Sequence, residues 1–109
     1  MASAVGKETV SNFHYNFEWD PPKAAANARK HGISFERAAT VFQDAEALSL
    51  YDRAHGEGED RWITLGMDSQ GQLLVVSHTW RERGEGMASC RLISARKATK
   101  TEAQQYRDK

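Results

Sequence analysis

Only one cysteine stands among the 109 residues, at position 90. That excludes an intramolecular disulfide and a cysteine zinc cluster within one chain, and it suits a reducing cytoplasm. A surplus of either charge is also missing, since 15 Lys and Arg balance 15 Asp and Glu, whereas general polyanion binders usually carry a basic excess. No apolar run approaches the roughly 18 residues of a membrane span. The start, Met1 through Glu8, lacks the apolar centre of a signal peptide. Internal repeats and low-complexity tracts are absent, and the length fits one domain with a single modest core.

What is present is unevenly spread. Residues 1–60 carry six basic and ten acidic side chains, and residues 61–109 carry nine and five, giving −4 and +4. Folding either turns this asymmetry into opposed acidic and basic faces or disperses it. Residues 1–12 are small and polar without periodicity and are expected to form a flexible extension to a single domain over 13–109. Within 13–19, Phe13, Tyr15, Phe17 and Trp19 alternate with polar residues, the period of a half-buried strand. Asp20 is placed to cap a helix that begins at Pro21, gains support from Ala24, Ala25, Ala26 and Ala28, and stops at His31-Gly32. Ser34 opens a second helix with Ala38, Val41, Phe42 and Ala45 on one face and Ile33 as a staple onto Ala38. A short strand over 48–52 and a polar loop over 53–60 follow. Strands are expected over 61–67, 73–83 and 88–96, and their short links imply an antiparallel meander. Thr99 and Glu102 form a capping box for a last helix. The expected class is α+β, with two N-terminal helices and a C-terminal helix packed on an antiparallel sheet.

The strands of the second half carry arginines, and guanidinium groups held on rigid strands are suited to gripping phosphates, which points to RNA. RNA cleavage without a metal needs a base for the ribose 2′-OH, cations for the charge on the phosphorane and a proton donor for the leaving 5′-oxygen. Arg61 and Arg96 are the first candidates for the phosphate, with Arg81 next. Thr79 shares a strand face with Arg81, while His78 and Trp80 point the other way. Ser94 shares a face with Arg96, and Lys97 offers a second, flexible cation. His55, in the polar loop before Arg61, carries a near-neutral imidazole for the base or the acid, and Glu59 is the other candidate base. His55 equally suits an exposed loop position without a role. Trp80 is the tryptophan assigned to base stacking, Trp19 and Trp62 to the core. His55 and Glu59 have helix-type metal spacing, but Gly56 and Gly58 between them oppose a helix, so neither a metal nor another cofactor is expected.

Several segments in order resemble one family: Phe17-Glu18-Trp19-Asp20 with Lys23 and Asn27; Lys30-His31-Gly32-Ile33-Ser34-Phe35 with Ala38 and Phe42; Glu59-Asp60-Arg61-Trp62 with Leu65-Gly66; Leu74-Val75-Val76 leading to Thr79 and Arg81; and Arg91 through Thr99 with Glu102 and Tyr106. Together they resemble the BrnT toxins of bacterial type II toxin–antitoxin systems over nearly everything from Phe17 to Tyr106. The resemblance implies a RelE-like fold, an endoribonuclease that stalls translation, and a BrnA-type antitoxin that neutralises it in an oligomeric complex and alone contacts operator DNA. The substrate implied is mRNA, free or on the ribosome. Two departures stand out: residues 83–89 are longer than the usual tight turn, and residues 1–12 have no counterpart. Balanced net charge also fits a reading from another class, a non-catalytic protein- or nucleic-acid-binding module, either an inactive relic or a co-repressor.

Overall fold

A computed structural model of the chain describes residues 4–10, 13–53, 60–84 and 86–109, with side chains from residue 15 onward. The hydrophobic alternation of β2 (Phe13–Trp19) sends Phe17 and Trp19 into the core. Next to it runs β7 (Met87–Lys97), the longest strand, whose Ala88, Cys90, Leu92 and Ala95 are buried. The other side of β7 pairs antiparallel with β5 (Leu73–Thr79), which pairs with β4 (Arg61–Met67), which pairs with β3 (Leu48–Tyr51). The sheet order is β1 (Ala4–Val10), then β2-β7-β5-β4-β3.

Three expectations change here. The sheet is mixed rather than antiparallel, because β2 and β7 run parallel, with Phe17 opposite Cys90 and Glu18 opposite Arg91. Parallel neighbours need a long crossover, and here it comprises all the chain between them, a pairing that no short link announces. The segment expected as one strand over 73–83 divides at Trp80 into β5 and β6 (Arg81–Gly84), which pairs with the start of β7. Ala4–Val10, within the expected extension, forms β1, antiparallel to β2 in an unbroken register from Ala4 opposite Trp19 to Val10 opposite Phe13.

One face of the sheet carries the first two helices. The first, α1 (Pro21–His31), ends at Gly32 in the left-handed conformation that glycine tolerates best, φ 71°. Asp20 stands at its N-cap, but its side chain makes no capping bond and its Oδ1 is buried without a partner among the described residues. Asn27 ties α1 to the sheet: its Nδ2 donates to the carbonyls of Ile33 (3.0 Å) and Ala95 (2.9 Å), and its Oδ1 accepts from the Ala95 N–H (3.1 Å). Helix α2 (Phe35–Ala39) begins at Ser34, whose Oγ accepts from the Arg37 N–H. It tightens into a 3-10 turn over Thr40–Gln43, so Ala45 lies beyond the helix and is exposed. Ile33, Phe35, Ala38, Val41 and Phe42 pack on Phe17, Leu74, Val76 and Leu92 as the core.

Two carboxylates hold the ends of β4 and β5. Asp44 Oδ2 accepts from the Met67 N–H (2.9 Å) and the Tyr106 hydroxyl (2.7 Å). Asp68 accepts two bonds from Arg37 (3.0 and 2.7 Å) and backbone N–H groups from Gln70 and Gln72. Helix α3 (Lys100–Arg107) starts with the expected capping box at Thr99 and Glu102 and packs against β4. No helix among the described residues is long and apolar enough to cross a membrane.

Candidate functional site

Register decides which arginines meet. Arg61, the first residue of β4, stands opposite Thr79, the last of β5, so both project to the face away from α1 and α2. Thr79 Oγ1 accepts the backbone N–H of Arg91 on β7 (3.1 Å), and Arg91 stands opposite Glu18 on β2. Where β2 turns into α1, Asp20 and Lys23 close the same region. The result is a cavity of about 340 Å³ lined by Glu18, Asp20, Lys23, Arg61 and Arg91, with Trp19, Leu92 and Ile93 behind them.

Three cations and two carboxylates therefore share one cavity. Arg61 Nε and Asp20 Oδ1 are buried and unpartnered among the described residues. An unmade bond at a buried polar group costs about 1–3 kcal/mol, more where the group is charged. A phosphate offers acceptors suited to guanidinium and ammonium groups, and a carboxylate beside it can take a hydroxyl proton.

The other expected residues fall in different places. Arg81 opens β6 opposite Ser89, two positions from Arg91 along β7, which puts the two arginine Cα atoms roughly 7–8 Å apart on one face. Arg83 on β6 donates to Ser89 Oγ (2.8 Å). Arg96 stands opposite Val75, four residues along β5 from Thr79, or roughly 13 Å down the strand. It makes a two-pronged pair with Glu102 at 2.8 and 2.9 Å. Hydrogen bonding from Arg96 brings the Glu102 carboxyl down to about 2, against the pull of burial, and the same bond raises Arg96. Ser94 lies opposite Ser77, and Lys97 is exposed at the end of β7. His55 and Glu59 lie outside the described residues.

The other face of the same strand end holds a second cavity, of about 260 Å³, lined by Tyr15, Phe42, Ser49, Trp62, His78 and Trp80. Trp62, expected in the core, is only half-buried here, and Trp80 meets Tyr15 edge-on at 5.1 Å between centroids. His78 is 2% exposed, and burial pushes its imidazole down to about 4 despite its bond to the Thr79 backbone. Burial also pushes the Cys90 thiol up, with Glu18 adding to the effect.

Sequence reading singled out Arg61 but missed its cavity partners. Arg91 follows Cys90 and lies outside the stretch where alternation gave Arg96 its face, and the bulge between Ser77 and His78 changes which β7 residues align with β5. Glu18 was legible, because it alternates with the buried Phe17 and Trp19 and must point away from them.

The sequence profile of the family described as "Ribonuclease toxin, BrnT, of type II toxin-antitoxin system" matches residues 19–102, a span that includes Asp20, Lys23, Arg61 and Arg91. Among solved structures the chain is similar to the Brucella abortus ribonuclease toxin BrnT, known at 1.1 Å resolution. The two are 25% identical, with a TM-score of 0.51, over 75% of this chain and 94% of that one. No curated protein compared with the chain matches it.

Proposed function

The chain belongs to the BrnT family of ribonuclease toxins of type II toxin–antitoxin systems, and on that premise we propose that its arginine-lined cavity is an endoribonuclease site. The observation that carries the assignment is the meeting of Arg61, Arg91 and Lys23 with Glu18 and Asp20 in one cavity. In this reading Glu18, exposed on β2, removes the ribose 2′-OH proton. The 2′-oxygen then attacks phosphorus, Arg61 and Arg91 hold the developing charge on the non-bridging oxygens, and the P–O5′ bond breaks. The products are a 2′,3′-cyclic phosphate and a 5′-hydroxyl. His55, six residues before Arg61 in the chain, is assigned the proton for the leaving oxygen, with Glu59 as the alternative base. Preorganised cations of this kind commonly contribute about 10²–10³ each in kcat.

Around that centre, Arg81 and Thr79 extend the phosphate track, and Trp80 contacts the substrate. Ser94, Arg96 and Lys97 serve as secondary contacts to the RNA backbone at the far end of β7, with Arg96 anchored by Glu102. The reaction requires no metal, because guanidinium groups supply the positive charge. The domain over 13–109, extended at its sheet edge by β1, is of the RelE-like type and acts in the cytoplasm on mRNA, free or ribosome-bound, to inhibit translation. A BrnA-type antitoxin neutralises it in an oligomeric complex and supplies the contact with operator DNA.

Induced expression in bacteria, with and without the neighbouring gene, tests this reading through growth and mapped RNA 5′ ends. Arrest with new ends, relieved by the neighbour and by folded Arg61→Ala, is the expected result. Normal growth with intact RNA and soluble, folded protein would instead favour the non-catalytic binding module.

A further inference from the structure

The aromatic cavity behind Arg61 is not used by the chemistry above, and its hydrogen bonds have a definite direction. His78 Nδ1 lies 2.9 Å from the carbonyl oxygen of Thr79, which can only accept, so Nδ1 carries the proton. Nε2 of this neutral ring is therefore an acceptor, and it takes the hydroxyl proton of Thr64 at 2.7 Å. Thr64 Oγ1 in turn accepts from Ser49 Oγ, also at 2.7 Å. Cys90 Sγ, 3.5 Å from Nδ1, adds at most a weak share in the Nδ1 proton. The relay ends at Ser49, whose hydroxyl proton is committed inward, leaving its oxygen lone pairs to face the cavity.

The remaining walls are flat rings. Tyr15, Phe42, Trp62 and Trp80 surround a space of about 260 Å³, slightly below the roughly 300–1,000 Å³ of sites for drug-sized ligands and suited to one planar heterocycle. Trp62 Nε1 is a buried donor without a partner among the described residues. A planar ligand that donates an N–H to Ser49 and lies against the Trp62 and Trp80 rings matches these walls. Nucleobases carry donors and acceptors side by side on their edges and stack on aromatic rings. Consecutive residues connect the two cavities, since Arg61 projects to one face of β4 and Trp62 to the other.

We propose that this cavity is a nucleobase subsite, which takes one unstacked base of the RNA while Arg61 holds the adjoining phosphate across the strand end. The assignment rests on the ribonuclease reading for its phosphate, and on the cavity alone for its base. Trp80 is the main stacking surface and Ser49 the acceptor for the base N–H.

The probes are AMP, GMP, CMP and UMP, with ribose 5-phosphate as the base-free control, titrated into the ¹⁵N-labelled full chain while the Trp62 indole N–H resonance is followed. Saturable shifts with at least one nucleotide and none with ribose 5-phosphate are expected. Trp80→Ala should weaken that binding by about fivefold or more, the equivalent of a stacking contact of about 1 kcal/mol, and Trp80→Phe should restore most of it. Ser49→Ala, which removes no ring, should weaken it as well. Equal binding of nucleotide and ribose 5-phosphate, or full affinity in folded Trp80→Ala and Ser49→Ala, overturns the subsite. RNA cleavage without base-dependent binding would leave the ribonuclease reading standing and remove the subsite. Base-dependent binding without any cleavage would do the reverse.

Discussion

Asn27 is the most informative position for testing how the fold holds its site. Its carboxamide makes three hydrogen bonds to backbone groups at Ile33 and Ala95, and the residue is 7% exposed. Asn27→Ala leaves one N–H and two carbonyl groups without partners in a region closed to water. At about 1 kcal/mol for each lost bond, the loss is on the order of 3 kcal/mol. Against a total stability of about 5–15 kcal/mol this leaves a folded protein, with a melting temperature lower by roughly 10–20 °C. Asn27→Asp separates this account from a simple packing effect. The new side chain keeps the acceptor for Ala95 but puts its second oxygen against two carbonyls, which only a protonated carboxyl can tolerate. Its folded pKa is thus raised above the ordinary carboxylate value of about 3.9. Relative to wild type the variant is therefore least impaired below about pH 4, and its deficit grows as pH rises through the raised value. Urea unfolding of wild type and both variants from pH 3.5 to 8 makes the comparison. A loss below about 1 kcal/mol in Asn27→Ala, or an Asn27→Asp variant with the wild-type pH profile, would refute the role given to these bonds.

Other expectations follow from the same packing. His78 titrates near 4 in the folded state against 6.5 for the free side chain, so its burial contributes stability that is fully present above about pH 6.5 and lost as pH falls toward 4. The span corresponds to on the order of 3 kcal/mol; chemical denaturation across that window should show the loss, and a flat profile would contradict it. Gly66→Ala would bring a Cβ to 2.7 Å from Val41 Cγ1 and 3.0 Å from the Ala47 Cβ, and should cost about 1–3 kcal/mol in thermal unfolding; an unchanged melting temperature would show that the turn relaxes freely. Arg96→Ala removes the partner of Glu102 at a half-exposed pair, so global stability should fall by under about 1 kcal/mol. Amide exchange should quicken in α3, and equal protection in both proteins would argue against that anchoring.

Local chemistry explains what was readable beforehand. Gly32, Ser34 and the Thr99–Glu102 box act within one turn of their own helices, and each is where sequence put it. The alternation in β5 likewise separates His78 from Thr79. Pairing between distant strands has no such signal: nothing near Phe17 announces Cys90 as its neighbour, so the parallel β2–β7 contact stayed hidden. The site inherits this limit. Arg61 was visible as a strand arginine, but its meeting with Arg91 depends on the two-strand span from β4 across β5 to β7. Conversely, Arg96 looked equivalent to Arg61 because both are strand arginines, whereas a carboxylate six residues onward engages it. Asp20 carries the residue type of a cap and the position of a cap, yet its side chain lines the cavity instead.

The most direct test is cleavage of a short single-stranded RNA by the purified chain in excess EDTA, with product ends identified and Arg61→Ala, Arg91→Ala and Glu18→Gln run beside it. The expected products carry 2′,3′-cyclic phosphate and 5′-hydroxyl ends, with each folded variant slower by about 10²-fold or more. Wild-type turnover that persists undiminished in all three folded variants would place the chemistry elsewhere on the molecule.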